Sequence, residues 1–79
     1  MYTVTDLERI RLTILHAEGW IARQSARIAD RIRAGDDTAV DEMFLEQALA
    51  HVESLRRHSI DVRASIDRAA REARRPTHH

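Results

Sequence analysis

Apolar residues recur at alternating steps of three and four along two long stretches of the chain. The first series is apolar except for its sixth and eighth members: Leu7, Ile10, Ile14, Ala17, Ile21, Gln24, Ile28 and Arg31. The second series has one polar member: Leu45, Ala48, Val52, Leu55, Ser59, Val62, Ile66, Ala69 and Ala73. This spacing keeps side chains on one face of an α-helix. We therefore predict an all-α protein with two long amphipathic helices.

One short break separates the two predicted helices. Gly35 suits the left-handed residue that follows the end of a helix. Thr38 can cap the next helix, and Asp41, three residues later, can complete a capping box. Because only a short loop joins two long helices, we expect the chain to fold back into an antiparallel two-helix hairpin.

The outer ends of this hairpin carry similar signals. Thr5 and Glu8 have the spacing of a capping box at the start of the first helix. Pro76 cannot continue a helix and is expected to stop the second one. The predicted organisation is a single domain over 1–79, with the first helix at about 5–34, a turn at 35–37 and the second helix at about 38–75.

The first helix carries a second stripe, nearly opposite its core-facing seam. Its members become small after the first two: Leu12, Leu15, Gly19, Ala22, Ala26 and Ala29. A hairpin buries one face of each helix, so a single copy would leave this stripe exposed. We predict that the stripe is an oligomer interface and that the hairpin forms a homodimer, as a four-helix bundle. A monomer with alanine-rich outer faces is the alternative, because alanine favours helices.

The formal net charge is zero, with 13 basic and 13 acidic residues, and every basic residue except the histidines is arginine. The zero is a sum of separated blocks, because 38–55 carries four acids and no arginine, whereas 56–79 carries seven arginines and three acids. An antiparallel hairpin sets the acidic block against the arginines at 23, 27, 31 and 33. It leaves the basic end of the second helix for a partner.

The residues give little support for catalysis. No cysteine is present, which excludes a disulfide framework, a zinc ribbon and a thiol nucleophile. There is no glycine-rich phosphate loop, no serine–base arrangement and no Glu-x-x-His motif. We predict a protein that is not an enzyme and holds no cofactor. Because no run of about 20 apolar residues occurs and the start does not resemble a signal peptide, we expect a cytoplasmic protein.

Histidines are the candidate metal ligands. His51 and His58 share one helix face, but seven residues separate them by about 10.5 Å along the axis, too far to hold one metal ion directly. His16 could approach them across the hairpin, or a dimer could supply a second set. Histidines that flank the core seam are the simpler interpretation, so we predict no metal site.

Two surface features are candidates for binding a partner. Trp20 stands beside Gly19, where a large aromatic side chain could anchor another protein or could equally cover the edge of the bundle. The basic end of the second helix could contact phosphates or an acidic protein surface, unless it is simply solvated, through these residues: Arg68, Arg71, Arg74 and Arg75. We predict a non-enzymatic protein–protein interaction or regulatory module. The alternative is a small nucleic-acid-associated protein that uses the arginine-rich end.

A set of positions over about residues 16–64 resembles a family of short bacterial helical-hairpin proteins of unassigned function. These positions are Ile21-Ala22-Arg23-Gln24, Ile28, Gly35-x-Asp37-Thr38-Ala39, Glu42, Leu45 and His58. Ser59 departs from the pattern, which has a basic residue after the histidine. The resemblance implies two helices and no known catalytic residues.

Overall fold

The computed structural model describes residues 1–75, which form two helices and no strand. Helix α1 spans Val4–Arg33 and helix α2 spans Ala39–Ala73. The all-α prediction is confirmed, and the helix bounds differ from the predicted ones by one or two residues at each end. Pro76, expected to stop the second helix, lies outside the described residues, as do His78 and His79.

Helix α1 begins earlier than predicted because Thr3, rather than Thr5, is its N-cap. Thr3 has extended dihedral angles, and its hydroxyl oxygen accepts a hydrogen bond from the Asp6 backbone N–H at 3.3 Å. The Asp6 carboxylate accepts one from the Thr3 backbone N–H at 2.8 Å, which completes a capping box. The predicted pair of Thr5 and Glu8 is therefore wrong. A cap at Thr3 satisfies free backbone N–H groups at the start of the helix, as a cap at Thr5 would. It also makes the helix two residues longer than a cap at Thr5 would.

The end of α1 follows the prediction. Gly35 adopts a positive φ of 81°, which a glycine reaches at little cost. The Gly35 N–H donates to the Ile32 carbonyl at 3.0 Å, and the Asp36 N–H donates to the Arg31 carbonyl at 2.9 Å. This pair of bonds is a Schellman motif, which satisfies carbonyl groups at the helix end and reverses the chain.

The start of α2 differs from the predicted capping box. Thr38 is the N-cap, but its ψ of 13° is not extended and its side chain caps no backbone N–H. The Asp37 carboxylate instead accepts a hydrogen bond from the Ala39 N–H at 3.0 Å. Asp41, the predicted second member of the box, is paired with Arg31 of α1. An ion pair across the turn thus uses the carboxylate that a local motif would have needed.

Three contacts show how the two helices are arranged. Arg31 pairs with Asp41 next to the turn. Farther away, the Arg56 Nη2 atom lies 3.1 Å from the Glu18 Oε2 atom. Near the start of the chain, the rings of Tyr2 and His58 have their centroids 5.6 Å apart. Positions on α1 decrease as those on α2 increase, so the helices pack antiparallel.

The core lies along the two seams predicted from the spacing. Among residues 1–75, four hydrophobic side chains are buried: Leu7, Ile28, Val52 and Val62. Most other seam positions are half-buried, including the polar Gln24, Arg31 and Ser59. Ala73 is the exposed member of the second seam. It lies at the last turn of α2, where the antiparallel register leaves no turn of α1 opposite it.

Candidate interaction surfaces

The second stripe of α1 is open to solvent in the single chain. Leu12 and Leu15 are 55% and 63% exposed, although both are large apolar side chains. The three alanines of the stripe are also exposed, and Gly19 is half-buried. The packing of α1 on α2 therefore leaves uncovered the residues that the sequence assigns to an oligomer interface.

The packing of the hairpin does not require a glycine at position 19. A Cβ atom built on Gly19 would have the Arg23 Nη1 atom as its nearest neighbour, at an ordinary contact distance of 3.5 Å. Its backbone is ordinary helix, unlike that of Gly35. Glycine in a helix interior costs about 1 kcal/mol relative to alanine. The packing of the two helices therefore does not account for a glycine at position 19.

Aromatic and histidine side chains form a surface that the sequence predicts only in part. Phe44, His51 and His58 follow one another at steps of seven, so they share one stripe of α2. The Tyr2 ring meets the His58 ring edge-on, at an interplanar angle of 78°. The seven-residue step from Phe44 to His51 was the signal that could have revealed this stripe before the structure.

Trp20 lies on the same side of the helix pair as the stripe of Phe44, His51 and His58. It precedes Arg27 by seven residues, so the two share a stripe of α1. Arg27 lines a small groove with Asp41 of α2, three residues before Phe44. Trp20 is 38% exposed, which leaves part of its ring accessible. We call this surface the aromatic flank, with these members: Tyr2, Trp20, Phe44, His51 and His58.

Acids and arginines meet at the turn. Arg31 pairs with Asp41, its Nε atom lies 3.7 Å from the Asp36 carboxylate, and its Nη2 atom donates to the Asp37 carbonyl at 3.5 Å. The prediction that the end of α1 faces the acidic block is therefore met by Arg31. Arg33 differs, because it pairs with Asp30 of its own helix.

The basic end of α2 is exposed over all four predicted positions. Arg68, Arg71 and Arg75 line one open groove together with Glu72. Arg71 also lines a second groove, with Arg74 and Asp67. The carboxylates divide the positive charge into parts, and the Arg74 Nε–H donates to the Ala70 carbonyl at 3.3 Å. This end can hold an anionic group between arginines, although it is not a continuous basic face.

The histidines do not assemble a metal site within the described range. Among residues 1–75, no group of three or more histidine, aspartate or glutamate side chains is arranged to hold a metal ion. His58 contacts Tyr2, while His16 and His51 are exposed.

The capping box of α1 perturbs one titratable group. Hydrogen bonds from the Thr3 backbone, and then from its side chain, lower the pKa of Asp6 below its ordinary value of 3.8, because both stabilise the carboxylate. The nearby Arg9 acts in the same direction. Asp6 is thus a structural carboxylate at the helix start, where negative charge also suits the helix dipole.

Comparison with known proteins adds no relative. No family model matches the chain, and neither a curated protein nor a solved structure is significantly similar to it. The resemblance to short bacterial hairpin proteins stays a prediction. Over residues 1–75, neither helix has a stretch apolar and long enough to cross a bilayer.

Proposed function

We propose that this protein is a non-enzymatic interaction module: a helical hairpin that dimerises and binds a protein partner. One observation carries the proposal. In the part of the chain that the structure describes, four hydrophobic side chains are buried, whereas twelve large ones are more than a third exposed. Helices of 30 and 35 residues with so few buried side chains have a small core of their own. Exposed apolar surface on this scale is typical of proteins that bind other proteins.

The exposed apolar residues fall on different sides of the hairpin, which supports two separate uses. Leu12 and Leu15 lie on the outer face of α1, nearly opposite its core seam. Trp20 and Phe44 lie on the aromatic flank. A second copy on the outer face of α1 would leave the aromatic flank accessible. We assign dimerisation, into the four-helix assembly expected from the sequence, to the former and partner binding to the latter.

Aromatic side chains suit the second role. They bury large areas while losing little conformational entropy, and they are enriched among residues that dominate binding energy. The partly exposed Trp20 and the 53% exposed Phe44 would supply such anchors. His51 and His58 between and beyond them would add polar atoms that can form hydrogen bonds with the partner. The function proposed here is therefore recognition of an apolar helix or loop, without chemistry.

The test compares two acidic substitutions on α2. Phe44→Glu removes an anchor of the aromatic flank, while Ile60→Glu makes the same charge change at a side chain that is 68% exposed. At 100° per residue, Ile60 and Phe44 project to different sides of α2. Affinity capture from the source cell, read by quantitative mass spectrometry, should recover a partner with wild type and Ile60→Glu and lose it with Phe44→Glu. Equal recovery by all three proteins, or no specific partner with wild type, would contradict the proposal.

The alternative function is binding to nucleic acid through the basic end of α2. The observation in its favour is that Arg71 borders both grooves there, so one phosphate could approach two or three guanidinium groups. Against it stand the two carboxylates in the same grooves and the zero net charge of the chain. We therefore keep it as the second candidate.

A further inference from the structure

The exposed stripe of α1 is complementary to itself when a second copy of the chain runs in the opposite direction. Its bulky members, Leu12 and Leu15, lie in the N-terminal half, and Ala26 and Ala29 lie in the C-terminal half. We propose that two copies pack antiparallel through this stripe, so that each leucine faces an alanine. This inference rests on the dimer of the proposed function and adds the surface, the direction and the register.

The register follows from the spacing of the stripe. A two-fold axis at the level of Trp20 and Ile21 lies midway between the first and last members. Every member then meets a member of the other copy, as in the alternating layers of an antiparallel coiled coil. The facing pairs, each formed twice, are Leu12 with Ala29, Leu15 with Ala26, and Gly19 with Ala22.

Size explains why the antiparallel direction is preferred. Each outer layer combines a leucine with an alanine, so the interface has a nearly even thickness and is narrowest at Gly19 in its centre. A parallel pair would set Leu12 against Leu12 at one end and Ala29 against Ala29 at the other. The helices would then diverge, leaving contacts unmade at the leucine end or at the alanine end.

Charge favours the same direction. Glu8 comes one step before the stripe and Arg33 one step after it, so the register brings Glu8 to the partner's Arg33. On one edge of the stripe, Arg9 comes near the partner's Asp30. Arg33 and Asp30 already form an ion pair within each chain. The partner's Glu8 and Arg9 would extend that pair into a small charge network across the interface. A parallel pair would instead bring Glu8 to Glu8 and Arg33 to Arg33, which repel.

The central layer gives Gly19 the reason that the hairpin lacks. Nothing in the single chain prevents a Cβ atom at this position, since its nearest neighbour would be 3.5 Å away. Alanine would also be the better helix former there. Close approach of two helix backbones at a two-fold axis is a condition under which glycine is favoured. In this dimer the two α1 helices lie inside and the two α2 helices outside.

Disulfide cross-linking tests the register, because the chain contains no native cysteine. We would prepare Leu12→Cys and Ala29→Cys as separate proteins, mix them, and oxidise them with oxidised glutathione. Antiparallel packing places the thiol at position 12 next to the thiol at the partner's position 29, whereas two copies of position 12 are separated by about 25 Å along the axis. The expected product is the mixed 12–29 disulfide, which mass spectrometry distinguishes from both homodimers.

Other products would overturn the inference in different ways. Disulfides of 12 with 12 and of 29 with 29 would establish a parallel dimer, which leaves the dimer of the proposed function intact. A dimeric mass by light scattering without any cross-link would place the interface on another face. A monomeric mass at all concentrations would overturn both the register and the dimer. Partner capture through Phe44 would then test the rest of the proposed function independently.

A second variant tests the central layer without cysteines. Gly19→Leu adds bulk where the two backbones are closest, so the dimer dissociation constant should rise about tenfold or more. Ala64→Leu is the matched control, because Ala64 is exposed on α2 and away from the stripe. Circular dichroism would check that both variants remain helical. An unchanged dissociation constant for Gly19→Leu would overturn the register.

Discussion

Arg31 of α1 pairs with Asp41 of α2 at the point where the core seam of α1 becomes polar. The same guanidinium group donates to the Asp37 carbonyl at 3.5 Å, and its Nε atom lies 3.7 Å from the Asp36 carboxylate. One side chain therefore connects the end of α1, the turn and the first turn of α2. Because Arg31 is next to the loop, its charge stays partly in contact with water, which lowers the cost of placing it on the seam.

We expect Arg31→Ala to lower the free energy of unfolding by about 1 kcal/mol. Both partners of the ion pair are more than a third exposed, so solvent screens the pair, and the value is set near the upper end for surface pairs. Arg57→Ala is the control, since Arg57 is exposed on α2 and lies far from the turn. Urea denaturation at a fixed protein concentration would measure both. Equal effects would show that Arg31 does not specifically link the turn.

A clear loss of stability is expected when Val62, a fully buried side chain of the core, is truncated. This side chain is fully buried, with 0% of its surface exposed, so Val62→Ala removes apolar contacts and leaves a cavity. We expect a cost of about 2 kcal/mol in the free energy of unfolding.

Ile60→Ala is the matched control for Val62→Ala. Ile60 is two residues away on the same helix and 68% exposed, and its truncation should cost no more than about 0.5 kcal/mol. Chemical denaturation of the two variants would measure the difference. A comparable cost at both positions would contradict the placement of Val62 in the core and of Ile60 on the surface.

The seams could be predicted from the sequence, whereas the ends of the helices could be predicted only in part. The three-and-four spacing of apolar residues continues over many helical turns, so single polar members such as Gln24 do not obscure the buried face. The observed burial follows this spacing closely. The cap of α1 depended on a choice between two overlapping Thr-x-x-acid signals, Thr3 with Asp6 and Thr5 with Glu8, which the spacing alone does not distinguish. The cap of α2 depended on Arg31, whose contact with Asp41 exists only after the chain has folded back.

The same distinction holds for the surfaces. The exposed stripe of α1 was visible in the sequence, because periodicity alone determines which positions lie opposite the core. The contact between Glu18 and Arg56 was not predicted, since it depends on the axial register of two helices. The aromatic flank likewise combines positions from both helices, and only the packed pair shows that Tyr2 and His58 are neighbours.

Helix α1 should lose part of its stability in acid through Asp6. The pKa of Asp6 is lowered in the folded chain by hydrogen bonds from Thr3, so the folded state binds the proton more weakly than the unfolded state does. The stabilisation is therefore present above the ordinary carboxyl pKa and is lost as the pH falls through the lowered value.

Substitution of the two acids near the start of α1 separates this effect from general acid denaturation. Asp6→Asn should reduce the stability at neutral pH and should make it less dependent on pH below about 4, the range where the carboxylate titrates. Glu8→Gln is the control, because Glu8 lies outside the observed capping box. Thermal unfolding followed by circular dichroism between pH 2 and 7 would compare them. A larger effect of Glu8→Gln than of Asp6→Asn would contradict the role given to Asp6.

The nucleic-acid alternative makes a prediction about salt. If Arg68, Arg71 and Arg75 neutralise phosphates, binding to duplex DNA should weaken steeply between 50 and 200 mM salt, with a slope of about −0.9 for each phosphate contacted. Replacing the three arginines with glutamine should reduce that slope by up to about 3. Fluorescence anisotropy would measure it, with Arg33→Gln as the control, because Arg33 ends α1 at the turn, away from the basic end of α2. Absence of binding at the lowest salt would eliminate this function. If DNA binds but the triple variant leaves the salt slope unchanged, the contact surface is not the basic end of α2.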